Sequence, residues 1–564
     1  MRIDDQIVLG NGAFAEIGRP TGVYWDKRAS RIAIASSFNF LQWHGRDIQE
    51  RRALSYRVSV YDVYPLRRVA VLDLARFPIN DIAFHPHKPL LAVATGSYDG
   101  GYYYEGALLL WDLSRGEAVS VLDESREVTR CRFDDAGEAL HIILRPPDDT
   151  AEDDEGHVHL LQATIAREAW EPMRQGNVLV QGLAFTDARE HVERTGYTLR
   201  EDQVVRRELQ RVAEQAGQRY EPRWHVWDVA WSPEGDILAV RNNTALEHWA
   251  MSGERRTHLS DPRDGVQLLS SRPGAVYVNL EDRLAPAPLR EGRIERVTVA
   301  TGQRAVLDVI DFPALLSISV SGALLARDTD WRRQRAGKRN SEWRSRDRIV
   351  TSEPHPPWAT EYHVPAAGLI ASKPLDLGHY DLFNHYMRID GARHLYFIQG
   401  TPPASHEGRW LCRIDPHSLQ VERLFPLDWE PRAGTRMSIS SGVYVRDGSG
   451  DALILGYQRS DGHGLQRDGS LIVRRHVPNG RVLWVASFDA PVTALADMPR
   501  HNVVVFVLND GHLGVISAVT GEVQLLRTVA LDGVTSVYLS LAARGNRIAA
   551  GTIDGRIVVG EFVE

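Results

Sequence analysis

Short runs of apolar residues, separated by turn-forming residues, recur along this chain, and the clearest series occupies residues 80–123. In its first run, residues 82–84, two apolar positions flank a small one, which is typical of a strand with one buried face. The second run, residues 90–94, is continuous and typical of a strand covered on both faces. Runs at 108–111 and 119–122 follow. The pattern therefore predicts four consecutive β-strands.

The segments between these runs contain residues that favour tight turns. Asp99-Gly100 precedes the third run, and a Ser-Arg-Gly segment at 114–116 follows it. Glycine after aspartate readily adopts the positive φ angles of a two-residue hairpin turn. The same dipeptide precedes other predicted third strands at Asp468-Gly469, Asp510-Gly511 and Asp554-Gly555. Because one sheet of this size cannot bury both faces by itself, we expect such units to stack in series.

The order of these signals resembles a WD40 repeat. An aromatic-x-Pro segment (84–86) follows the first strand, Asp-Gly precedes the third, and Trp111-Asp112 ends it. About ten units can be counted in all, most of them weaker copies, and the second clearest occupies 226–259. The resemblance implies an all-β fold, a β-propeller of about 7–10 four-stranded blades over residues 1–564. One ring is favoured, and tandem propellers are the alternative.

The end of the chain predicts how the ring closes. The last unit has only three predicted strands, at 534–539, 547–551 and 556–562. An apolar segment at residues 6–9 precedes the first complete unit. Since a propeller leaves no blade incomplete, we predict that this N-terminal strand completes the last blade.

One segment, residues 184–218, departs from the strand pattern and predicts an α-helical insertion, with helices at 186–193 and 198–216. Thr198 followed by Glu201 forms a capping box. The predicted apolar stripe consists of Val205, Leu209, Val212 and Ala216. Such a stripe either packs on the propeller or presents its side chains to a partner protein.

A second departure is the arginine-rich loop, residues 327–348, which has nine basic residues and four acids. Guanidinium groups bind carboxylates and phosphates, and indole rings stack on bases. Three interpretations stay open: a solvated excursion, a docking site for an acidic protein partner, and a nucleic-acid site. The contact residues would be Arg332, Arg333, Arg335, Arg339, Trp331 and Trp343.

Composition sets limits on these interpretations. The net charge of −8 is not that of a general polyanion binder. No apolar run approaches the length of a membrane helix, and the acidic N-terminus does not resemble a signal peptide. Cys131 and Cys412 lie in predicted strands and predict buried thiols. These features predict a cytoplasmic protein, and the scarcity of lysine, four of 66 basic residues, suggests a GC-rich bacterial genome.

Motifs of known chemistry are largely absent from the sequence. Residues 10–14 (Gly-Asn-Gly-Ala-Phe) predict an exposed turn, since the other motifs of a kinase are missing. His157 and His159 share one strand face beside acidic residues, but two histidines are a poor metal site. The segment at 85–87 (His-Pro-His) predicts a structural turn. We therefore expect no metal, no cofactor and no assembled catalytic set.

These observations favour a non-catalytic scaffold or adaptor that binds other proteins through loops on the propeller faces. The partner would belong to a bacterial multi-protein assembly. Enzyme status stays open, because some propellers are hydrolases or lyases, or bind small ligands, with sites in the central channel. The third hypothesis is nucleic-acid binding through the arginine-rich loop.

Overall fold

Strands dominate this chain in a computed structural model. The described residues are 2–38, 54–74, 76–98, 103–146, 160–188, 198–199, 202–272, 275–281, 292–306, 313–318, 324–328, 361–364, 373–375, 389–390, 392, 394–399, 409–415, 418, 420–430, 435–461, 464–477 and 479–563. Within them lie ten sheets of three to five strands and one two-stranded ribbon. The chain divides into a small unit, from Gly12–His44 and Arg52–Pro222, and a large unit, mainly Met1–Asn11 and Arg223–Glu564.

The small unit contains three sheets, named blades I to III in chain order. The strands of blade I are Arg19–Trp25, Arg31–Ser37, Tyr56–Val63 and Leu66–Leu74, with Thr198–Leu199 added beside the first. Those of blade II are Ile79–Phe84, Leu90–Tyr98, Tyr104–Asp112 and Glu117–Ser120. Those of blade III are Val128–Phe133, Ala139–Leu144, Leu161–Ala166 and Thr186–Asp187. Blade II confirms the four strands predicted from residues 80–123.

Helices occupy little of the described chain. Helix α1 (Arg167–Trp170) and a 3-10 turn (Val180–Gly182) follow the third strand of blade III. Helix α2 (Asp202–Gln215) is the predicted helical insertion. No helix in the described part of the chain is long and apolar enough to cross a membrane.

Helix α2 differs from the prediction at its start, and its stripe takes the first of the two predicted roles, packing against a blade. Thr198 lies in a strand paired with Tyr24, so the helix begins four residues later, at Asp202. Thr186–Asp187 is likewise a strand and not part of a helix. Leu209 and Val212 are fully buried with residues of blade I. They therefore stabilise the small unit, and the structure places them out of reach of a partner.

The large unit contains blades IV to X. Blade IV consists of the strands Val226–Trp231, Ile237–Arg241, Thr244–Trp249 and Arg255–Ser260. Blade V consists of Asp264–Arg272, Ala275–Glu281, Gly292–Thr298 and Arg304–Val306, and blade VI of Pro313–Ile318, Leu324–Asp328, Glu361–Val364 and Lys373–Leu375. Blade VII has three strands, Leu395–Gln399, Trp410–Ile414 and Val421–Pro426. Blade VIII consists of Arg436–Asp447, Gly450–Asp461, Gly464–His476 and Val482–Phe488, and the short strand Ile389–Asp390 pairs beside the first of these. Blade IX consists of Val492–Met498, Val503–Leu508, His512–Ser517 and Val523–Thr528. Blade X consists of Tyr538–Arg544, Arg547–Thr552, Ile557–Val563 and the N-terminal strand Arg2–Leu9. The ribbon pairs Ala530–Leu531 with Val534–Thr535.

The predicted N-terminal closing strand is confirmed. Arg2–Leu9 pairs antiparallel with Ile557–Val563 as the outer strand of blade X. Shared hydrophobic clusters join blade IV to blade V, blade VII to VIII, VIII to IX, IX to X, and X back to IV. The first strand of blade VI contacts those of blades V and VII. The large unit therefore closes as a propeller of seven blades.

Polar side chains on the first strands connect successive blades. Asp228 Oδ2 in blade IV accepts a hydrogen bond from the Leu268 N–H of blade V (2.9 Å). Ser540 Oγ in blade X donates to the Val226 carbonyl of blade IV (3.2 Å), across the point of closure. A buried polar group is stable only when it is hydrogen-bonded, so these contacts fix the spacing of neighbouring first strands.

Candidate binding cavity of the small unit

Turns of common construction connect the first and second strands of blades I and III. In blade I, Asp26 Oδ1 accepts hydrogen bonds from the N–H groups of Ser30 (2.7 Å) and Arg31 (3.0 Å). In blade III, Asp134 Oδ1 accepts from the N–H groups four and five residues later (2.8 and 3.2 Å). Burial acts to raise the pKa of Asp134, but these backbone hydrogen bonds outweigh it and lower that pKa. Aspartate favours such turns because its short side chain reaches nearby backbone donors.

In blade II, a histidine replaces the aspartate. His85 Nδ1 accepts from the N–H groups of His87 and Lys88, both at 3.0 Å, so the proton lies on Nε2, 3.3 Å from the Gly137 carbonyl. Burial lowers the pKa of His85, although the bond to Gly137 acts in the opposite direction. His85 is therefore a neutral link between the turns of blades II and III, which confirms the structural interpretation of this segment.

The three turns surround a cavity of about 580 Å³, and every lining residue belongs to the small unit. A volume of this size is typical of ligand-binding clefts. The lining residues that matter below are Trp25, Lys27, Arg28, Tyr64, His87 and Asp135.

Five aspartates line the cavity, and backbone N–H or guanidinium groups hold four of them. Asp26 and Asp134 bind the N–H groups of their own turns. Asp81 is buried and accepts from the Cys131 N–H (3.1 Å). Asp62 is held by two guanidinium groups, at 2.8 and 2.9 Å. Burial acts to raise the pKa of Asp62, but these arginines outweigh it and lower that pKa.

The fifth aspartate, Asp135, is held only by an exposed ion pair among the described residues. Its Oδ1 atom lies 3.0 Å from Lys27 Nζ, which joins the turn of blade III to that of blade I. Both side chains are more than half exposed, at 68% and 58%. An ion pair this exposed contributes little stability because water screens it.

Several donors at the cavity have no acceptor within the described part of the chain. The guanidinium of Arg28 makes no hydrogen bond or ion pair there. The indole N–H of Trp25 is buried and likewise lacks an acceptor among those residues. The cavity therefore offers donors to a bound molecule, whereas most of its acceptors are already occupied.

An exposed aromatic ring stands at the cavity. Tyr64 is 68% exposed, and its hydroxyl donates to Gln215 of helix α2 (3.2 Å). Exposed tyrosines often anchor protein contacts, because the ring is large and loses little conformational freedom. Helix α2 thus positions a rim residue of the cavity as well as covering blade I.

Two reactive side chains at the cavity, Cys131 and His85, are bonded within the fold. Cys131 is 5% exposed, and its thiol donates to the Ala92 carbonyl (3.5 Å). Burial keeps this thiol from reacting as an exposed nucleophile. His85 uses one ring nitrogen in its own turn and the other in the bond to Gly137 of blade III. The arrangement suits binding, which requires only exposed rings and donors.

A second cluster of charges lies in the large unit, around Glu247. This carboxylate is fully buried and accepts two hydrogen bonds from Arg223 (3.0 and 2.9 Å). It also accepts from Arg241 Nε (3.0 Å), Arg255 Nη1 (3.2 Å) and Trp249 Nε1 (2.9 Å). Burial acts to raise the pKa of Glu247, but the arginines outweigh it and hold that pKa well below its usual range.

The Glu247 cluster connects blade IV to blade X. Arg223 donates from Nε to the Gly555 carbonyl (2.9 Å), in the turn between two strands of blade X. The guanidinium carbons of Arg223 and Arg255 each lie 5.5 Å from the Trp249 ring centroid. His258 Nδ1 is 3.3 Å from Glu247, yet three guanidinium groups compete with any cation for this carboxylate. The cluster is therefore a structural joint.

Comparison with known proteins leaves the family open. No family model matches this sequence, and no curated protein matches it. Two solved structures of virginiamycin B lyase from Staphylococcus aureus are similar to it. A catalytically inactive variant with quinupristin has 13% identity and a TM-score of 0.39, with 60% of this chain and 94% of that chain covered. The selenomethionine-substituted protein has 12% identity and a TM-score of 0.38, with the same coverage. At such scores neither likeness bears on function.

The other predicted site residues give mixed outcomes. Leu209 and Val212 are core residues, as described above. Cys131 and Cys412 are buried thiols that form no disulfide within the described chain, which confirms the prediction. His157 and His159 lie outside the described residues. The same holds for the contact residues of the arginine-rich loop, namely Arg332, Arg333, Arg335, Arg339, Trp331 and Trp343.

The sequence prediction missed the cavity itself. The sequence did contain a signal for the cavity, namely a polar residue at the first position of each turn between first and second strands, followed by charged residues. The three segments are Asp26-Lys27-Arg28, His85-Pro86-His87-Lys88 and Asp134-Asp135. Each segment alone is typical of a solvated turn. Only the stacking of three blades brings them together.

Proposed function

We propose that this protein is a non-catalytic interaction scaffold that holds a segment of a partner protein in the cavity of the small unit. In this proposal it is a WD40-like, bacterial, cytoplasmic component of a multi-protein assembly. The observation that carries the proposal is a contrast between two groups of side chains at the cavity. Its carboxylates, histidine and thiol serve the fold, whereas Arg28, Trp25 and Tyr64 remain available.

The chemistry of the rim fits recognition of a polypeptide. An exposed aromatic ring beside donors without acceptors can bind both an apolar side chain and the polar groups next to it. The three turns are rigid, because side chains at their first positions fix their backbones. A rigid rim loses little conformational entropy on binding, which increases affinity.

A capture experiment with a matched control tests this proposal. The tagged full chain is incubated with native-host lysate and cross-linked, and the recovered proteins are compared with those of two variants. His87→Trp places a large ring in the exposed turn that lines the cavity. Arg500→Trp places the same ring in the turn between the first and second strands of blade IX, which contributes no lining residue to the cavity.

We expect a stoichiometric partner with the wild type and Arg500→Trp, and its loss with His87→Trp. Circular dichroism melting curves establish that both variants are folded. Equal recovery of the partner by a folded His87→Trp variant would contradict the proposed function.

A further inference from the structure

The hydrogen-bonding groups at the cavity are strongly biased towards donors. Four of the five lining aspartates are held by backbone N–H or guanidinium groups, and the fifth, Asp135, by the ammonium group of Lys27. Arg28 and the indole N–H of Trp25 have no acceptor within the described chain. The buried indole N–H of Trp25 costs free energy without an acceptor, and a ligand that supplies one recovers it, whereas exposed Arg28 adds a charge that attracts an anionic group. The missing component of the cavity is therefore an acceptor, and one with negative charge suits Arg28 best.

We infer that the cavity recognises carboxylate side chains of an acidic peptide segment, which bind at Lys27 and Arg28. This inference rests on the proposed function and specifies the chemistry of the partner segment. Lys27 and Arg28 are consecutive residues in the exposed turn of blade I, and both line the cavity. Their charges act on the same space, where most competing carboxylates are already bound.

Asp135 occupies the place that a ligand carboxylate would take. Its Oδ1 atom already lies 3.0 Å from Lys27 Nζ, so carboxylate binding at this ammonium group is sterically feasible. Because the pair is exposed, water and a ligand can displace Asp135 at small cost. Asp135 is thus an internal competitor, and its removal should strengthen ligand binding.

The aromatic side chains favour a peptide over a simple anion. Tyr64 at the cavity is exposed, and Trp25 lies in the lining beside the same basic turn. The Trp25 ring already lies 5.8 Å from the guanidinium carbon of Arg211, so the ring left to a ligand is that of Tyr64. A free phosphate would use the cations and leave Tyr64 uncovered, whereas a peptide can place a carboxylate on Lys27 and Arg28 while its apolar atoms cover Tyr64.

The test uses the full chain and two fluorescein-labelled peptides, one of six glutamates and one of six glutamines, with anisotropy as the readout. We expect the glutamate peptide to bind and the glutamine peptide to bind at least about tenfold more weakly, since charge-assisted bonds are lost. Arg28→Gln should weaken glutamate binding by about five- to tenfold. Asp135→Asn should strengthen it by about two- to fivefold. Arg500→Gln, in the corresponding turn of blade IX, should leave it unchanged.

The opposite responses of Arg28→Gln and Asp135→Asn are diagnostic, because damage to the fold would weaken binding in both variants. Similar affinity for the two peptides, or weaker binding by Asp135→Asn, would overturn the inference. If inorganic phosphate displaced the glutamate peptide at concentrations as low as those at which free glutamate does, the site would bind anions in general, which would also overturn the inference.

The two proposals fail separately. If His87→Trp loses the captured partner but the wild type does not bind the glutamate peptide, the scaffold proposal stands and the acidic-segment inference is wrong. If the peptide binds with the expected variant pattern but capture is unaffected by His87→Trp, the site is real and its proposed role in the scaffold is wrong.

Discussion

The cavity of the small unit and the Glu247 cluster of the large unit contain similar residues in different roles. Around Glu247, three guanidinium groups and an indole converge on one buried carboxylate. At the cavity, backbone and arginine donors occupy the carboxylates, and exposed cations remain. Charge therefore stabilises the fold where its partners are internal, and is available for binding where they are not. The number of charged residues does not distinguish the two regions.

The largest expected effect is the loss of stability when Glu247 is replaced. Glu247→Gln leaves three guanidinium groups without the carboxylate that they share, and breaking a buried ion pair costs about 3–5 kcal/mol. Chemical denaturation of the large unit measures this cost. Glu254→Gln, at an exposed turn position of the same blade, should change the free energy of unfolding by less than about 0.5 kcal/mol. If Glu247→Gln lowered the free energy of unfolding by less than about 1 kcal/mol, the cluster would not have the structural role assigned to it.

The pH dependence of the same variant sharpens the comparison. The pKa of Glu247 is lower in the folded state than its ordinary value of 4.5. Its contribution to stability is therefore present above pH 4.5 and is lost as the pH falls towards the folded-state pKa. The wild type and Glu247→Gln should converge in stability under acid.

The next effect tests the structural role of the His85 turn beneath the cavity. Gly137 has a φ of +71°, and an added Cβ would lie 2.5 Å from the His85 ring. Gly116 has the same φ of +71° and nothing within 4 Å of an added Cβ. Gly116→Ala should cost about 1 kcal/mol from backbone strain, and Gly137→Ala about 1–2 kcal/mol more from the clash. Equal melting temperatures for the two variants would show that the His85 contact is not tight.

The smallest effect concerns a carboxylate whose pKa burial raises despite a backbone hydrogen bond at Met498. Half-buried Asp497, in the first strand of blade IX, has a pKa raised to about 6 by burial. For an acid with a raised folded-state pKa, stability falls as the pH rises from its ordinary value of 3.8 through 6. Asp497→Asn should therefore stabilise the protein by about 1 kcal/mol at pH 8 and have little effect at pH 4. Denaturant titrations at both pH values measure this, and a destabilised variant at pH 8 would refute it.

Sequence patterns were sufficient for the repeating architecture. The alternating and continuous apolar runs of residues 80–123 predicted all four strands of blade II, because period and burial are local properties. The closing strand was also predictable from a short apolar segment and an incomplete last unit. The start of helix α2 was not, because Thr198 pairs with a strand 174 residues earlier in the chain, at Tyr24.

The candidate site could not be predicted, since it depends on contacts between turns. Nothing local distinguishes Asp26, which binds its own turn, from Asp135, which pairs with Lys27 across the cavity. Likewise, the sequence around Glu247 contains no sign that Arg223, 24 residues away, meets it in the core. Convergence of side chains from separate elements is a tertiary property.

Hydrogen–deuterium exchange on the full chain, with and without the captured partner, tests the central claim most directly. We predict slower exchange in peptides that cover residues 26–31, 85–90 and 134–139, and no change in those that cover the Glu247 cluster at 241–258. Protection confined to the large unit, with no change at the three turns of the small unit, would contradict the account.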